Sequence, residues 1–138
     1  MAAPRPDDPR ALVRRLHTEV FAARDLDILD EFFAPDFVSH NQRPDMPAGV
    51  EGVKEFFALF RDALSDLAVS LDEIVCEGEW AAIATTTTGT HTGELSGIAP
   101  TGRTVSVTGI DLVRVANGRI VEHRGLTDTV GLLRQLAG

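Results

Sequence analysis

An Asn-Gly turn near the C-terminal end most constrains how this chain folds. Asn117-Gly118 separates Ile110-Asp111-Leu112-Val113-Arg114 from Ile120-Val121-Glu122-His123. Asn-Gly between two apolar, β-branched segments is the strongest short-range signal for a β-hairpin. The hairpin brings Asp111 and His123 onto neighbouring strands, and an Asp among apolar residues is costly to bury unless it is hydrogen-bonded, paired or neutralised. We therefore predict that Asp111 and His123 form a catalytic pair.

The register of this hairpin depends on its turn. A two-residue turn at Asn117-Gly118 sets Asp111 opposite Arg124, whereas a three-residue turn that includes Ala116 sets Asp111 opposite His123. The three-residue turn separates an apolar face from a charged one more cleanly, so we favour it. In that register the pair forms a general base with an orienting partner. The alternative is a buried polar pair that only satisfies its own hydrogen bonds.

Composition limits the class of protein. A chain of 138 residues is large enough for one domain with one core. The net charge of −8 argues against a protein that binds nucleic-acid backbones, because no basic stripe exists to displace counterions. The single cysteine, Cys76, argues against a disulfide framework. The histidines lack His-x-His or His-Glu-x-x-His spacing, and no glycine pattern resembles a phosphate loop, so we predict no metal and no organic cofactor.

The expected location and domain organisation are simple. The N-terminal segment lacks the apolar centre of a signal peptide, and no apolar run approaches membrane-spanning length. We therefore expect a cytoplasmic protein that contacts neither membranes nor nucleic acid. Residues 1–138 are expected to form a single domain, with a disordered tail over residues 1–8.

Hydrophobic periodicity predicts helices followed by strands. Asp8-Pro9 is typical of a helix start, and the helix that follows carries an apolar stripe at Leu12, Val13, Leu16 and Val20. Further predicted helices cover residues 26–33, 50–64 and 129–136, and predicted strands cover residues 68–77, 80–91, 101–115 and 119–127. This order predicts an α+β fold, in which a cone-shaped, curved antiparallel sheet is closed by the N-terminal helices and followed by a short C-terminal helix. Such a cone encloses a cavity suited to a small molecule.

Six short motifs carry a family resemblance. They are Phe37-Val38-Ser39-His40-Asn41, Gly89-Thr90-His91-Thr92-Gly93-Glu94, Pro100-Thr101-Gly102, Gly109-Ile110-Asp111, Ile120-Val121-Glu122-His123 and Gly131-Leu132-Leu133-Arg134-Gln135-Leu136. In this order, from Leu12 onward, the chain resembles the SnoaL-like polyketide cyclase family of the nuclear transport factor 2-like superfamily. The resemblance implies the cone fold, but the superfamily includes cyclases, isomerases, epoxide hydrolases, cofactor-independent hydroxylases and proteins without catalysis.

The chain departs from the chemistry that this resemblance implies. Cyclases of this kind resemble the chain at His123 but usually follow it with Trp and a catalytic Asp, where this chain has Arg124 and Gly125. The related limonene-epoxide hydrolases also use an Asp at that last position, together with an Arg-x-Asp on an earlier strand. Here the earlier strand reads Thr85-Thr86-Thr87-Thr88. The resemblance therefore implies the scaffold and the pocket without their best-known catalytic residues.

Five further residues are predicted to contact the substrate. His40 and Asn41 follow a strand-like pair and are expected to hold a ligand carbonyl, the alternative being an Asx turn with a loop histidine. Thr87 is expected to place its hydroxyl inside the barrel. Trp80 lines the cavity or packs in the core or an interface. His91 lies between threonines near a loop, where it contacts the substrate or supports the site from the surface.

The functional hypothesis is a cofactor-free enzyme of the cyclase, isomerase or lyase type. It would transfer a proton next to a carbonyl of a small, largely apolar substrate, of the kind found in polyketides or terpenoids. One alternative is a ligand-binding or accessory protein without catalysis, and a further alternative is a hydrolase similar to epoxide hydrolases. Long strands with apolar residues on both faces also predict a homodimer that pairs through the sheet.

Overall fold

The computed structural model describes residues 8–22, 25–41 and 44–138. The elements in chain order are α1 (Pro9–Ala22), a short 3-10 helix (Leu26–Glu31), β1 (Phe33–Ser39), α2 (Val50–Ala63), β2 (Leu64–Glu77), β3 (Trp80–His91), β4 (Thr104–Ala116), β5 (Arg119–Thr127) and α3 (Thr129–Ala137). The strands form one sheet in the order β1-β5-β4-β3-β2, antiparallel except for the parallel pair of β1 with β5. The predicted α+β fold, with a curved sheet and helices at both ends of the chain, is confirmed. None of the helices in the described ranges is long and apolar enough to cross a membrane.

Helix α1 begins where the sequence predicts and closes one edge of the sheet. The Asp8 side chain accepts a hydrogen bond from the Arg10 backbone N–H at 3.1 Å, which satisfies a donor of the first turn. The Arg10 side chain donates from Nη1 to the Ile74 carbonyl at 3.2 Å. These contacts cover part of the edge strand β2, whose backbone would otherwise stay unpaired. Asp8, the last residue of the predicted tail, therefore lies at the start of α1, and residues 1–7 lie outside the described residues.

The concave face of the sheet, which packs against the helices, carries two separate apolar clusters. One lies under α1 and the 3-10 helix and contains the buried residues Leu12, Val13, Val20, Leu29, Phe32, Phe33, Phe37, Ala81, Ile83, Val113, Val115 and Ile120. The other lies under α3 and contains Ala63, Leu64, Leu95, Val105, Val107, Leu132 and Leu136. Gly109 and Asp111 lie on β4 between the two clusters. The middle of the concave face is therefore polar.

The β4–β5 hairpin closes with two residues and not with the favoured three. Asn117 and Gly118 have φ angles of 53° and 76°, so both adopt the left-handed conformation of a tight hairpin turn. Ala116 consequently pairs with Arg119. The predicted three-residue turn is wrong. Asn117 adopts a positive φ as readily as Gly118 does, so two residues are enough to reverse the chain.

A β-bulge then shifts the register in the opposite direction from the one expected. Val121 is an extra residue of β5, because Val115 pairs with Ile120 whereas Arg114 pairs with Glu122. Asp111 therefore lies opposite Gly125, and both predicted partners of Asp111 are wrong. Asp111 and Val113 share the concave face by alternation along β4, whereas the bulged Val121 lines a cavity with Arg114 and Glu122.

Candidate active site

Asp111 and His123 meet across the hairpin although they are not directly opposite each other. His123 lies opposite Val113, so the two side chains are diagonal neighbours, and their lengths bridge the gap. The distance between His123 Nε2 and Asp111 Oδ1 is 2.7 Å. An ionised carboxylate can only accept, so the proton lies on Nε2 and the lone pair of the neutral imidazole lies on Nδ1.

Gly125 provides the space in which this hydrogen bond forms. A Cβ atom added at residue 125 would lie 2.1 Å from Asp111 Oδ1 and 2.7 Å from His123 Nε2. Both distances are far below van der Waals contact between heavy atoms, which begins at roughly 3.5 Å for carbon pairs. Any side chain at this position would therefore separate the carboxylate from the imidazole.

Asn41 holds the backbone of Gly125. Its Oδ1 accepts a hydrogen bond from the Gly125 N–H at 3.1 Å, and its Nδ2 donates to the Gly125 carbonyl. Regular pairing of β1 with β5 ends at Ser39 and His123, so the Asn41 amide replaces the next rung of the ladder. The sequence predicted that the Asn41 amide holds a ligand carbonyl. In the structure this amide is hydrogen-bonded to the backbone of Gly125.

Ser39 is a site residue that the sequence analysis missed. Its Oγ lies 3.3 Å from Nδ1 of His123, so both ring nitrogens have partners. The ring of Phe37 packs nearby, with its centroid 6.4 Å from that of the imidazole. Strict alternation along β1 puts Phe37 and Ser39 on one face and Val38 and His40 on the other, so it favours Ser39 over His40 for this face but does not identify His123 as its neighbour.

The pair is partly open to solvent. In the described part of the chain the side chain of Asp111 is 37% exposed and that of His123 is 26% exposed. Apolar clusters flank the pair on both sides, but the described residues do not enclose it in the predicted apolar cavity. Two shallow cavities lie elsewhere: one of about 320 Å³ between α1 and β2, and one of about 350 Å³ beside β1 and β5.

His40 lies on the opposite, convex face of the sheet. Its Nε2 donates to Glu122 at 2.8 Å, and Arg114 Nε donates to the other oxygen of the same carboxylate at 2.6 Å. Glu79 extends this network, 3.6 Å from Arg114. The expectation that His40 contacts the same substrate as Asp111 is therefore corrected, because the sheet itself separates the two side chains.

The convex-face network gives a testable pH dependence. Hydrogen bonds from His40 and then Arg114 hold the pKa of the Glu122 carboxyl below its ordinary value of 4.5. A lowered pKa in the folded state adds stability at neutral pH that is lost as the pH falls through that value. We expect Glu122→Gln to lower the urea midpoint at pH 7, and the difference from wild type to shrink below about pH 4.

Glu55→Gln, on the exposed side of α2, is the matched control. It should leave the midpoint within error of wild type at both pH values. A Glu122→Gln difference that is as large at pH 3 as at pH 7 would contradict the stated cause.

The remaining predicted contacts are dispersed. Trp80 lies on the convex face opposite Arg114. Thr87 lies on the concave face opposite Val107, beyond Thr85. His91 is fully buried at the far end of β3, where its Nδ1 accepts from the Thr101 N–H at 3.1 Å.

His91 Nε2 has no hydrogen-bond partner among the described residues. None of Trp80, Thr87 and His91 contacts Asp111 or His123 through a described hydrogen bond. Across residues 8–22, 25–41 and 44–138, no three His, Cys, Asp or Glu side chains converge as a metal site would require.

Comparison with known proteins identifies the class to which this fold and site belong. The family model of SnoaL-like polyketide cyclase matches residues 11–136. The chain is 35% identical over 111 residues to aklanonic acid methyl ester cyclase DauD of Streptomyces sp. (strain C5), covering 79% of this chain and 66% of DauD. It is 34% identical over 120 residues to nogalonic acid methyl ester cyclase of Streptomyces nogalater, covering 80% of this chain and 84% of that protein.

Solved structures agree with these sequence matches. TsrD from Streptomyces laurentii superposes with a TM-score of 0.80 at 31% identity, covering 94% of this chain and 97% of TsrD. IdmH from Streptomyces antibioticus superposes with a TM-score of 0.79 at 32% identity, covering 95% of this chain and 99% of IdmH. The chain belongs to the SnoaL-like polyketide cyclase family, as its motifs predicted.

Proposed function

We propose that this protein is a cofactor-free cyclase of a polyketide-like ester. The observation that carries the proposal is the 2.7 Å hydrogen bond between Asp111 and His123 on the concave face of the fold. In the proposed reaction a base removes a proton from a carbon next to a carbonyl. The resulting enolate attacks a second carbonyl of the same molecule, and a carbon–carbon bond closes a ring. The oxygen of the attacked carbonyl takes up the proton.

The two side chains have different roles in this reaction. His123 is the general base, and its Nδ1 is the nitrogen that accepts the proton. Asp111 keeps the proton on Nε2 and balances the positive charge of the imidazolium that forms. Proton uptake and return cancel over one turnover, so the reaction needs no oxidant, reductant or cofactor. The apolar clusters on either side of the pair are suited to contact the hydrocarbon part of the substrate.

Gly125 supports the assignment of Asp111. The family resemblance implies a catalytic carboxylate two residues after the histidine, where this chain has Gly125. The Asp111 carboxylate reaches into the space that a side chain at residue 125 would fill. We infer that β4 supplies a carboxylate to the place that β5 leaves empty, and that the two arrangements exclude each other sterically.

The curated relatives suggest the compounds with which to test this proposal. They are named as cyclases of aklanonic acid methyl ester and nogalonic acid methyl ester. Purified protein should be incubated with each compound and the products separated by liquid chromatography and mass spectrometry. Ring closure changes retention time and absorbance at unchanged mass. We expect conversion above the spontaneous rate for at least one ester, and conversion no faster than that of His123→Ala protein for both would contradict the proposal.

A second candidate function is ligand binding without catalysis. Gly125 in place of the expected catalytic Asp favours it, as does the partial exposure of the pair. A bound compound that is extracted unchanged from the purified protein, together with no turnover of either methyl ester, would favour this function over catalysis.

We also propose that the protein is a homodimer that pairs through the convex face. Large apolar side chains are exposed there on three strands of the sheet: Leu126 on β5 is 78% exposed, Val75 on β2 61% and Ile110 on β4 59%. Leu126 pairs with Ile110, which in turn pairs with Ala84, so an apolar row runs from β5 across β4 to β3. Contiguous apolar patches of this kind mark interfaces, and a two-fold dimer is the commonest closed assembly.

Light scattering tests this assembly. We expect a mass of about 30 kDa, twice the 14.9 kDa of one chain, at micromolar concentration. Ile110→Lys should give monomers, because it places a charge in the proposed interface. Val130→Lys is the matched control, since Val130 is 60% exposed on α3 and outside the sheet. A monomer mass for the wild-type protein would contradict the proposal.

A further inference from the structure

We propose that Ser39 is a catalytic residue of this site, and that its hydroxyl carries the proton between the substrate and His123. The inference rests on the proposed cyclase function and goes beyond the pair that the sequence predicts. It is drawn from two hydrogen bonds in series, Ser39 Oγ to His123 Nδ1 at 3.3 Å and His123 Nε2 to Asp111 Oδ1 at 2.7 Å.

The tautomer of His123 determines which atom faces the substrate. Asp111 holds the proton on Nε2, so the basic lone pair is on Nδ1. The Ser39 hydroxyl lies against that lone pair and donates to it. The Ser39 oxygen therefore lies between the substrate and Nδ1, and a proton that moves from the substrate to Nδ1 passes through it.

The backbone fixes Ser39 in this position. Ser39 is paired with His123 in the parallel ladder between β1 and β5. On the following residue, the His40 N–H donates to the His123 carbonyl at 2.9 Å. The Asn41 amide then holds Gly125. These three successive contacts with β5 hold the backbone of Ser39 beside His123, so its hydroxyl is within reach of the imidazole.

A hydroxyl at this place matches both halves of the proposed reaction, because it is a donor and an acceptor at once. When the carbon next to the carbonyl loses its proton, the proton passes to Ser39 Oγ while the original hydroxyl proton passes to Nδ1. After the carbon–carbon bond has formed, the Ser39 proton passes to the new alkoxide while the Nδ1 proton returns to Oγ. Ser39 is neutral before and after each step, and His123 ends neutral.

Ser39→Ala and Ser39→Thr test this role. With aklanonic acid methyl ester as the probe, we expect Ser39→Ala to lower kcat at least tenfold, because a positioned acid–base group contributes roughly 10²–10⁴-fold and His123 stays in place. KM should change little, because the step lost is proton transfer and not binding. Ser39→Thr should restore most of kcat, since it keeps the hydroxyl. Ser70→Ala is the control, because Ser70 lies on the edge strand β2 and bonds to Asp72.

Nitrogen-15 NMR of labelled histidine gives a readout that does not depend on turnover. Ser39→Ala should move the Nδ1 signal of His123 and leave its Nε2 signal in place. An unchanged Nδ1 signal would overturn the inference, as would full turnover by Ser39→Ala when His123→Ala is inactive. If His123→Ala itself turns over normally, the proposed function fails instead, so the two failures are distinguishable.

Discussion

Asp111→Asn and His123→Ala are each expected to lower the turnover of aklanonic acid methyl ester by roughly 10²–10⁴-fold, the usual contribution of a positioned acid–base pair. Asparagine keeps the shape of the side chain, but it lacks the negative charge that balances the imidazolium. The asparagine amide can donate a hydrogen bond as well as accept one, so it no longer fixes the His123 tautomer with the proton on Nε2. The measurement is the initial rate at saturating substrate, for each variant and for the double variant.

The double variant decides whether the two residues act as a unit. Because Asp111 works only through His123, removing both should cost little more than removing His123 alone. Two matched controls lie on the convex face: His40→Ala and Asp36→Asn, which should leave the rate within about twofold of wild type. Full turnover in both active-site variants would exclude the proposed mechanism, and a large loss in His40→Ala would show that the chemistry lies on the other face.

Much of the fold follows from local patterns that a single sequence contains. Helix α1 follows from its capping residue and apolar stripe, and α3 is capped by Asp128, whose Oδ1 accepts from the Gly131 N–H at 2.9 Å. The two strands of the hairpin follow from the Asn-Gly turn. These features depend on residues within a few positions of one another, which is why periodicity and turn chemistry predict them.

The site itself is only partly local, and the prediction is incomplete for that reason. The Asp111–His123 contact was expected from a direct pairing, yet it forms diagonally after a two-residue turn and a bulge at Val121. Which residue of β5 bulges depends on packing against β1, and turn preferences carry no information about it. The contact survives because the side chains reach across the diagonal above the vacant position at Gly125.

The contacts of Ser39 and Asn41 could not be predicted from local sequence patterns, for a different reason. Both contact residues of β5 that are 84 positions later in the chain, through the parallel pairing of β1 with β5. No turn signal links two strands so far apart in sequence. Alternation along β1 can select Ser39 over His40 for the concave face, but only the sheet order shows that His123 is its neighbour.

Gly125→Ala is expected to remove activity while the protein stays folded. The added Cβ would lie 2.1 Å from Asp111 Oδ1, so the carboxylate must move away and its hydrogen bond to His123 must break. Turnover should fall by the same factor as in Asp111→Asn, within roughly 10²–10⁴-fold. The backbone of Gly125 does not have a positive φ, so alanine suits the strand conformation, and the thermal midpoint should fall only by the cost of displacing the Asp111 and His123 side chains.

Gly109→Ala is the matched control for this experiment. Gly109 lies on the same face of the neighbouring strand, and a Cβ there would meet its nearest atom, Thr85 Oγ1, at an ordinary 3.5 Å. It should therefore keep most of the wild-type rate. Combining Gly125→Ala with Asp111→Asn should add no further loss, because both changes remove the same hydrogen bond. If Gly125→Ala is folded and fully active, the reaction does not use the contact between Asp111 and His123, and the carboxylate supplied by β4 is not the partner of the base.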